Sequence, residues 1–189
     1  MSNLVVVYDA CVLYPAPLRD TLMRVGIADL CQARWTDKIL DEWVSNLLEH
    51  RPDITKERLE RTCSKMKEAI PDCTIAGYDY LIDRIELPDP DDRHVLAAAI
   101  HAKAQLIVTN NRSDFPLKTL EMYDLQCCHP DAFLTRLYES APEDVIEVLR
   151  EQRAALKKPS QTVEEFLATL NRNGLNVLVQ LLQLRKKSL

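Results

Sequence analysis

The sequence predicts an α/β fold: a central, mainly parallel sheet followed by a helical C-terminal extension. Three observations carry that prediction. "LVVVY" (residues 4–8) is an unbroken apolar, β-branched run, as expected of a strand buried on both faces. "QLIVT" (105–109) and "LQCC" (125–128) are two further short apolar runs. Helical patterns lie between them, and strands alternating with helices build parallel sheets.

The remaining elements follow in chain order. Pro15 and Pro17 precede "LRDTLMRVGIADLCQA" (18–33), where Leu18, Leu22, Val25 and Leu30 mark an amphipathic helix with Gly26 weakening its middle. Thr36 is placed to cap a second helix, with Ile39, Trp43 and Leu47 on one face and Pro52 ending it. A charged third helix covers about 55–69, and "CTIA" (73–76) reads as a short strand. Residues 78–85 fit neither pattern. Pro90 opens a helix that runs to about Lys103, and Pro130 opens another through Tyr138.

Residues 140–189 read as all-helical. Ser140 and Glu143 have capping-box spacing with Pro142 in the first turn, and Thr162 and Glu165 repeat that spacing. Gly174 breaks the chain before "LNVLVQLLQL" (175–184), where Leu175, Leu178, Val179 and Leu182 share one face. That face either packs on the chain's own core or meets a partner. The expected domains are 1–139 and 140–189. On the partner reading, truncation after residue 140 removes binding and leaves the rest of the chain intact.

With 189 residues, 47% of them hydrophobic, the chain suits one packed domain with an appendage and is not disordered. No apolar run approaches the roughly 20 residues of a membrane helix. "MSNLVVVYDA" has no basic n-region and too short an apolar run for a signal peptide, so the expected location is the cytoplasm, with no membrane partner. Cysteines 11, 31, 63, 73, 127 and 128 show no CxxC pair and no zinc spacing, and are expected to be reduced and mostly buried. The net charge of −5 is unevenly spread. Residues 1–139 hold 16 Lys and Arg against 23 Asp and Glu, and residues 140–189 hold 8 against 6. An acidic body argues against nucleic-acid binding, unless its carboxylates gather around a metal.

"LPDPDDRHVL" (87–96) shows how they could gather. Asp89, before a proline, is extended and suits the N-cap, with Pro90 at the first helical position. Carboxylates are stabilised at helix N-termini, so capping could account for Asp89, Asp91 and Asp92 alike. The helical wheel separates them. Val95, Leu96, Ala99 and Ile100 form an apolar stripe; Asp92 lines up with it and Asp91 sits about 100° away. A carboxylate aimed inward needs hydrogen bonds, a cation or a metal. His94 and His101 fall on the opposite face and read as surface residues.

Asp9 directly follows the first strand, at the sheet edge where sites form in open α/β folds. Asp114 lies just past "LIVT" and reaches the same edge, with Thr109 and Asn111 able to orient it or to serve as turn residues. Glu42 sits at the boundary of the second helix's apolar face. Each alone could be a turn or surface residue. Together, three or four carboxylates cannot stay ionised without a counter-charge. All-oxygen ligands with room for water suit Mg²⁺ or Mn²⁺. No Gly-rich phosphate loop, GxSxG motif or Cys/His dyad stands out, and "DACVL" lacks the second aspartate of a DxD nucleophile.

"VVYDACVLYP", "RWTDKILDEWVSNL", "LPDPDDRHVLAAAI" and "IVTNNRSDFP" resemble, in order and spacing, a PIN-domain ribonuclease over about residues 3–139. The likeness is to bacterial VapC-type toxins, in the subgroup with an extra helical C-terminus. It implies a compact three-layer α/β/α sandwich and Mg²⁺- or Mn²⁺-dependent hydrolysis of RNA to 5′-phosphate and 3′-hydroxyl ends. The family's acids fall on Asp9, Glu42, Asp92 and Asp114, as catalytic and metal-holding residues, and Asn111 stands where relatives have Asn or Asp. Cys11 stands where many relatives have Asn, Ser or Thr. Arg93, Arg112 and Lys118 are candidate phosphate contacts. The implied partners are RNA and a cognate antitoxin, and a homodimer is left open. Two other readings stay in play: a catalytically silent PIN-like module that binds RNA or protein, and a DNA nuclease or other phosphohydrolase on this fold.

Overall fold

The computed structural model describes residues 4–189. Four short strands, β1 (Val5–Tyr8), β2 (Gln32–Arg34), β3 (Leu106–Val108) and β4 (Gln126–Cys128), form an all-parallel sheet in the order β2-β1-β3-β4. Val6, Val7 and Tyr8 are all fully buried. Successive strand residues point to opposite faces, so the sheet is covered on both sides and the architecture is a three-layer α/β/α sandwich.

Between the first two strands lie α1 (Ala10–Leu13) and α2 (Ala16–Ile27), and between β2 and β3 lie α3 (Asp37–His50), α4 (Lys56–Ala69) and α5 (Arg93–His101). Then come α6 (Leu117–Glu121), α7 (Pro130–Ser140), α8 (Pro142–Ala155), α9 (Val163–Arg172) and α10 (Asn176–Gln183). The predicted caps at Thr36 and Thr162 are present, and Thr55 caps α4 as well. Thr36 Oγ1 accepts from the Ile39 amide at 3.0 Å, and Thr162 with Glu165 closes a full capping box. Among the described residues no helix is long and apolar enough to cross a membrane. All six cysteines are free thiols; Cys31, Cys73 and Cys128 are buried and the other three partly so.

Three elements differ from the sequence expectation, and residues 79–84, which it left unassigned, take a form of their own. The helix after Pro17 ends at Ile27 instead of reaching Ala33; Asp29 turns the chain in the left-handed region (φ 56°), and residues 32–34 become β2. Gly26 allows that close return, because a Cβ there would lie 2.8 Å from Ile70 Cδ1 and 3.1 Å from Ala33 Cβ. "CTIA" forms one parallel bridge, Thr74 to Trp35, and no strand. Residues 79–84 wind into a 3-10 helix. Ser140 does not cap α8; it ends α7, its hydroxyl donating to the Leu137 carbonyl, and Ala141 precedes the Pro142 that starts α8.

The C-terminal helices share the core of the sheet domain. Val145, Leu149, Phe166, Leu170, Leu178 and Leu182 belong to the same hydrophobic cluster as Val6 and Ile107. Helix α8 packs on α2 and α7, and α10 packs on α7. Gln152 of α8 is buried: its Oε1 accepts from Thr21 Oγ1 at 2.8 Å and its Nε2 donates to the Pro17 carbonyl at 2.9 Å. The shared face of Leu175, Leu178, Val179 and Leu182 is thus taken up by the chain's own core.

Asp131 ties α7 to α10. Its buried carboxylate accepts from the backbone amides of Val177 (2.8 Å) and Leu178 (3.0 Å), two of the unpaired donors at the start of α10. Charge at a helix N-terminus adds to those bonds. Asp131→Ala should therefore cost about 2 kcal/mol of stability. Urea unfolding measures it, and an unchanged midpoint would show that α10 needs no such cap.

Candidate functional site

The sheet order places a topological switch between β1 and β3: from β1 the chain goes to one neighbour, β2, and later returns on the other side as β3. In open α/β sheets the crevice beyond the carboxyl ends of such strands is where sites form. Asp9 follows the end of β1 and Thr109 follows the end of β3, and they meet there. The Thr109 hydroxyl donates to Asp9 Oδ2 at 2.7 Å. Asp9 is 4% exposed and Thr109 fully buried.

Cys11 shares this cluster. Its thiol donates to the same Asp9 oxygen at 3.0 Å and lies 3.4 Å from Thr109 Oγ1. Burial first, and then the neighbouring Asp9 charge, push the thiol pKa up to about 12, so at neutral pH it keeps its proton and remains a donor. The Asn110 amide donates to Cys11 Sγ at 3.2 Å and the Asn111 amide to Thr109 Oγ1 at 2.9 Å. Asn111 thus supports Asp9 through Thr109, by its backbone.

Asp92 ends a 3-10 turn (Pro90–Asp92) directly before α5. Asp89 caps that turn, its Oδ1 accepting from the Asp91 amide at 2.9 Å. Asp91 is exposed and Asp92 half-buried, as the helical wheel requires. The Asp92 pKa is raised from 3.8 to about 7, first by desolvation, then by the charges of Asp9, Asp114, Asp89 and Glu42. Asp114 is half-buried in a 3-10 turn after β3, and Glu42 half-buried on α3. The four predicted acids therefore share one electrostatic field around Asp92. Among the described residues, however, no three His, Cys, Asp or Glu side chains are gathered tightly enough to form a metal coordination shell. The donor set and its charge fit a hard divalent cation; the side-chain spacing is wider than that of a formed shell.

His94 departs from its expected place. It is 2% exposed rather than on the surface, and its Nε2 lies 2.8 Å from Glu42 Oε1. His101 is exposed, against Tyr80. Among the candidate cations, Arg112 and Lys118 are exposed, while Arg93 is half-buried with its Nε unpartnered. A groove of about 620 Å³ is lined by Arg112, Phe115, Leu117 and Leu120.

The raised Asp92 pKa has a consequence for stability. A carboxyl whose folded pKa lies above its unfolded value stabilises the fold below about 3.8, and that contribution is lost as pH rises through about 7. In chelator, Asp92→Asn should therefore lose less thermal stability than the wild-type chain between pH 4 and 8. Parallel melting curves across that range would count against the shared field.

The family model described as PIN domain matches residues 5–113, more than half of the chain. The chain belongs to the PIN-domain family. A second family model, the VapC50 C-terminal domain, matches residues 130–184, so the C-terminal helices also have relatives. The chain is 48% identical over 58 residues to a Mycobacterium tuberculosis protein named "Putative ribonuclease VapC50". That match covers 29% of this PIN-domain chain and 34% of the relative. No solved structure matches.

Proposed function

We propose that this PIN-domain chain is a divalent-metal-dependent endoribonuclease, acting as the toxin of a toxin–antitoxin pair, with its acidic site formed by Asp9, Glu42, Asp92 and Asp114. The observation that carries this is the Asp92 carboxyl at the switch point of the sheet, raised toward neutrality first by desolvation and then by the charges of Asp9, Asp114, Asp89 and Glu42. Membership of the PIN family and the ribonuclease name of the partial relative support the choice of RNA.

The four carboxylates would hold Mg²⁺ or Mn²⁺. When bound, such a cation lowers the pKa of water and neutralises charge building up on the phosphate. The chain's own residues do the rest. Thr109 and Cys11 donate to one oxygen of Asp9 and so hold that carboxylate in one orientation. Arg112 and Lys118, both exposed, provide positive charge for the substrate backbone, and Arg93 is a third candidate. Residues 1–139 form the nuclease part, and residues 140–189 brace it by packing on α2 and α7.

The wide spacing of the acids favours a second reading, a PIN module that binds without cutting. Induced expression of wild type and Asp9→Asn in a bacterium, followed by RNA 5′-end mapping, separates the two. The nuclease reading predicts new 5′ ends at defined sites with wild type and none with Asp9→Asn. Identical end maps would sink it. Co-purification of a small protein encoded beside the chain would identify the antitoxin.

A further inference from the structure

We infer that His94 is a positioning residue that sets the Glu42 carboxylate in the acidic site. The inference rests on the reading of Glu42 as one of that site's metal-holding groups. The His94 side chain is 1% exposed and that of Glu42 34%, with Nε2 and Oε1 2.8 Å apart. The ring thus reaches outward from the interior to a carboxylate near the surface. The contact joins α5 to α3. Because α5 begins directly after Asp92, one short stretch supplies one acid of the site and orients another.

The energetics of burial favour this role over simple packing. Nδ1 of His94 is buried with no hydrogen-bond partner among the described residues. With a proton it is an unmet donor, and without one an unmet acceptor. An unmet buried polar group costs about 1–3 kcal/mol. The neighbours along the helix, Val95 to Ala99, are apolar and fully buried. An aliphatic side chain would fill the space without that cost. What the imidazole adds is a ring nitrogen 2.8 Å from Glu42 Oε1. Among the described residues Glu42 forms no ion pair with Lys or Arg, so the His94 contact is the one placed to restrain it. A free glutamate would lose up to about 2 kcal/mol of rotamer freedom on being fixed, and a carboxylate already fixed gives that up before a cation arrives.

The test is calorimetric Mn²⁺ titration of the full-length chain, with melting temperatures measured alongside. His94→Leu should stay folded and bind Mn²⁺ roughly tenfold to a hundredfold more weakly. Glu42→Gln should show a similar loss, and adding His94→Leu to Glu42→Gln should cost nothing more. Full affinity in folded His94→Leu, or an equal further loss in the Glu42→Gln background, would overturn the inference. If His94→Leu does not fold, His94→Gln and His94→Asn decide. The Gln amide reaches about where Nε2 stood and the Asn amide about where Nδ1 stood. Affinity kept by Gln and lost by Asn supports the inference; the reverse, or no difference, overturns it. Wild type binding no Mn²⁺ would bring down the acidic-site reading and this inference together. Wild-type binding matched by His94→Leu would overturn this inference alone.

Discussion

Asp92→Asn should cleave RNA on the order of a hundredfold or more slowly than the wild-type chain. A cation's stabilisation of transition-state charge is worth several kcal/mol, and each 1.4 kcal/mol is a factor of ten in rate. The substitution keeps the shape of the side chain and removes its charge. It should not unfold the protein. Above pH 7 the ionised Asp92 is disfavoured by desolvation and by four nearby carboxylates, so its neutral replacement should melt no lower than wild type in chelator. Reduced rate with unreduced stability marks a functional group, because a residue kept for packing would lose both together. Wild-type cleavage by Asp92→Asn, with contaminating nuclease excluded, would remove Asp92 from the site.

Truncation after residue 140 should abolish cooperative folding. The sequence alone left room for an appendage whose loss would spare the acidic site. The structure changes that expectation, because α8 lies on α2 and α7, and α10 lies on α7. Each fully buried aliphatic side chain left facing water costs about 1.5–3 kcal/mol. A domain's whole stability is only about 5–15 kcal/mol. Stripping the apolar faces of α2 and α7 exceeds that, and Thr21 also loses its partner Gln152. Circular dichroism and thermal melts of residues 1–140 check this. A sharp melt near that of the full chain would mean that the helices are dispensable to the fold.

The elements that could be read from the sequence were those with strong local patterns. β1 is four apolar residues, VVVY, and α3 has a threonine cap and a clear apolar face. The β2 strand could not be read: it has three residues, and Ala33 is its one apolar side chain, between Gln32 and Arg34. Its place is set by pairing with β1, which is not a local signal. Asp92 was separable from Asp89 and Asp91 because a helical wheel distinguishes directions. The same wheel misplaced His94. It assumes one buried face, whereas α5 is covered on several sides, with residues 94–99 all buried, in part against the 3-10 helix at 79–84. Cys11 stands where many relatives have Asn, Ser or Thr, and its protonated thiol donates to Asp9. Only its distance from that carboxylate reveals this.

The most direct test of the central claim is the end chemistry of the purified full-length chain acting on an RNA that carries a mapped cleavage site. With Mg²⁺ or Mn²⁺ present, metal-assisted hydrolysis predicts fragments bearing 5′-phosphate and 3′-hydroxyl ends, and no cleavage once the metal is chelated. Cleavage that continues in chelator, or that leaves 2′,3′-cyclic phosphate ends, would contradict the account.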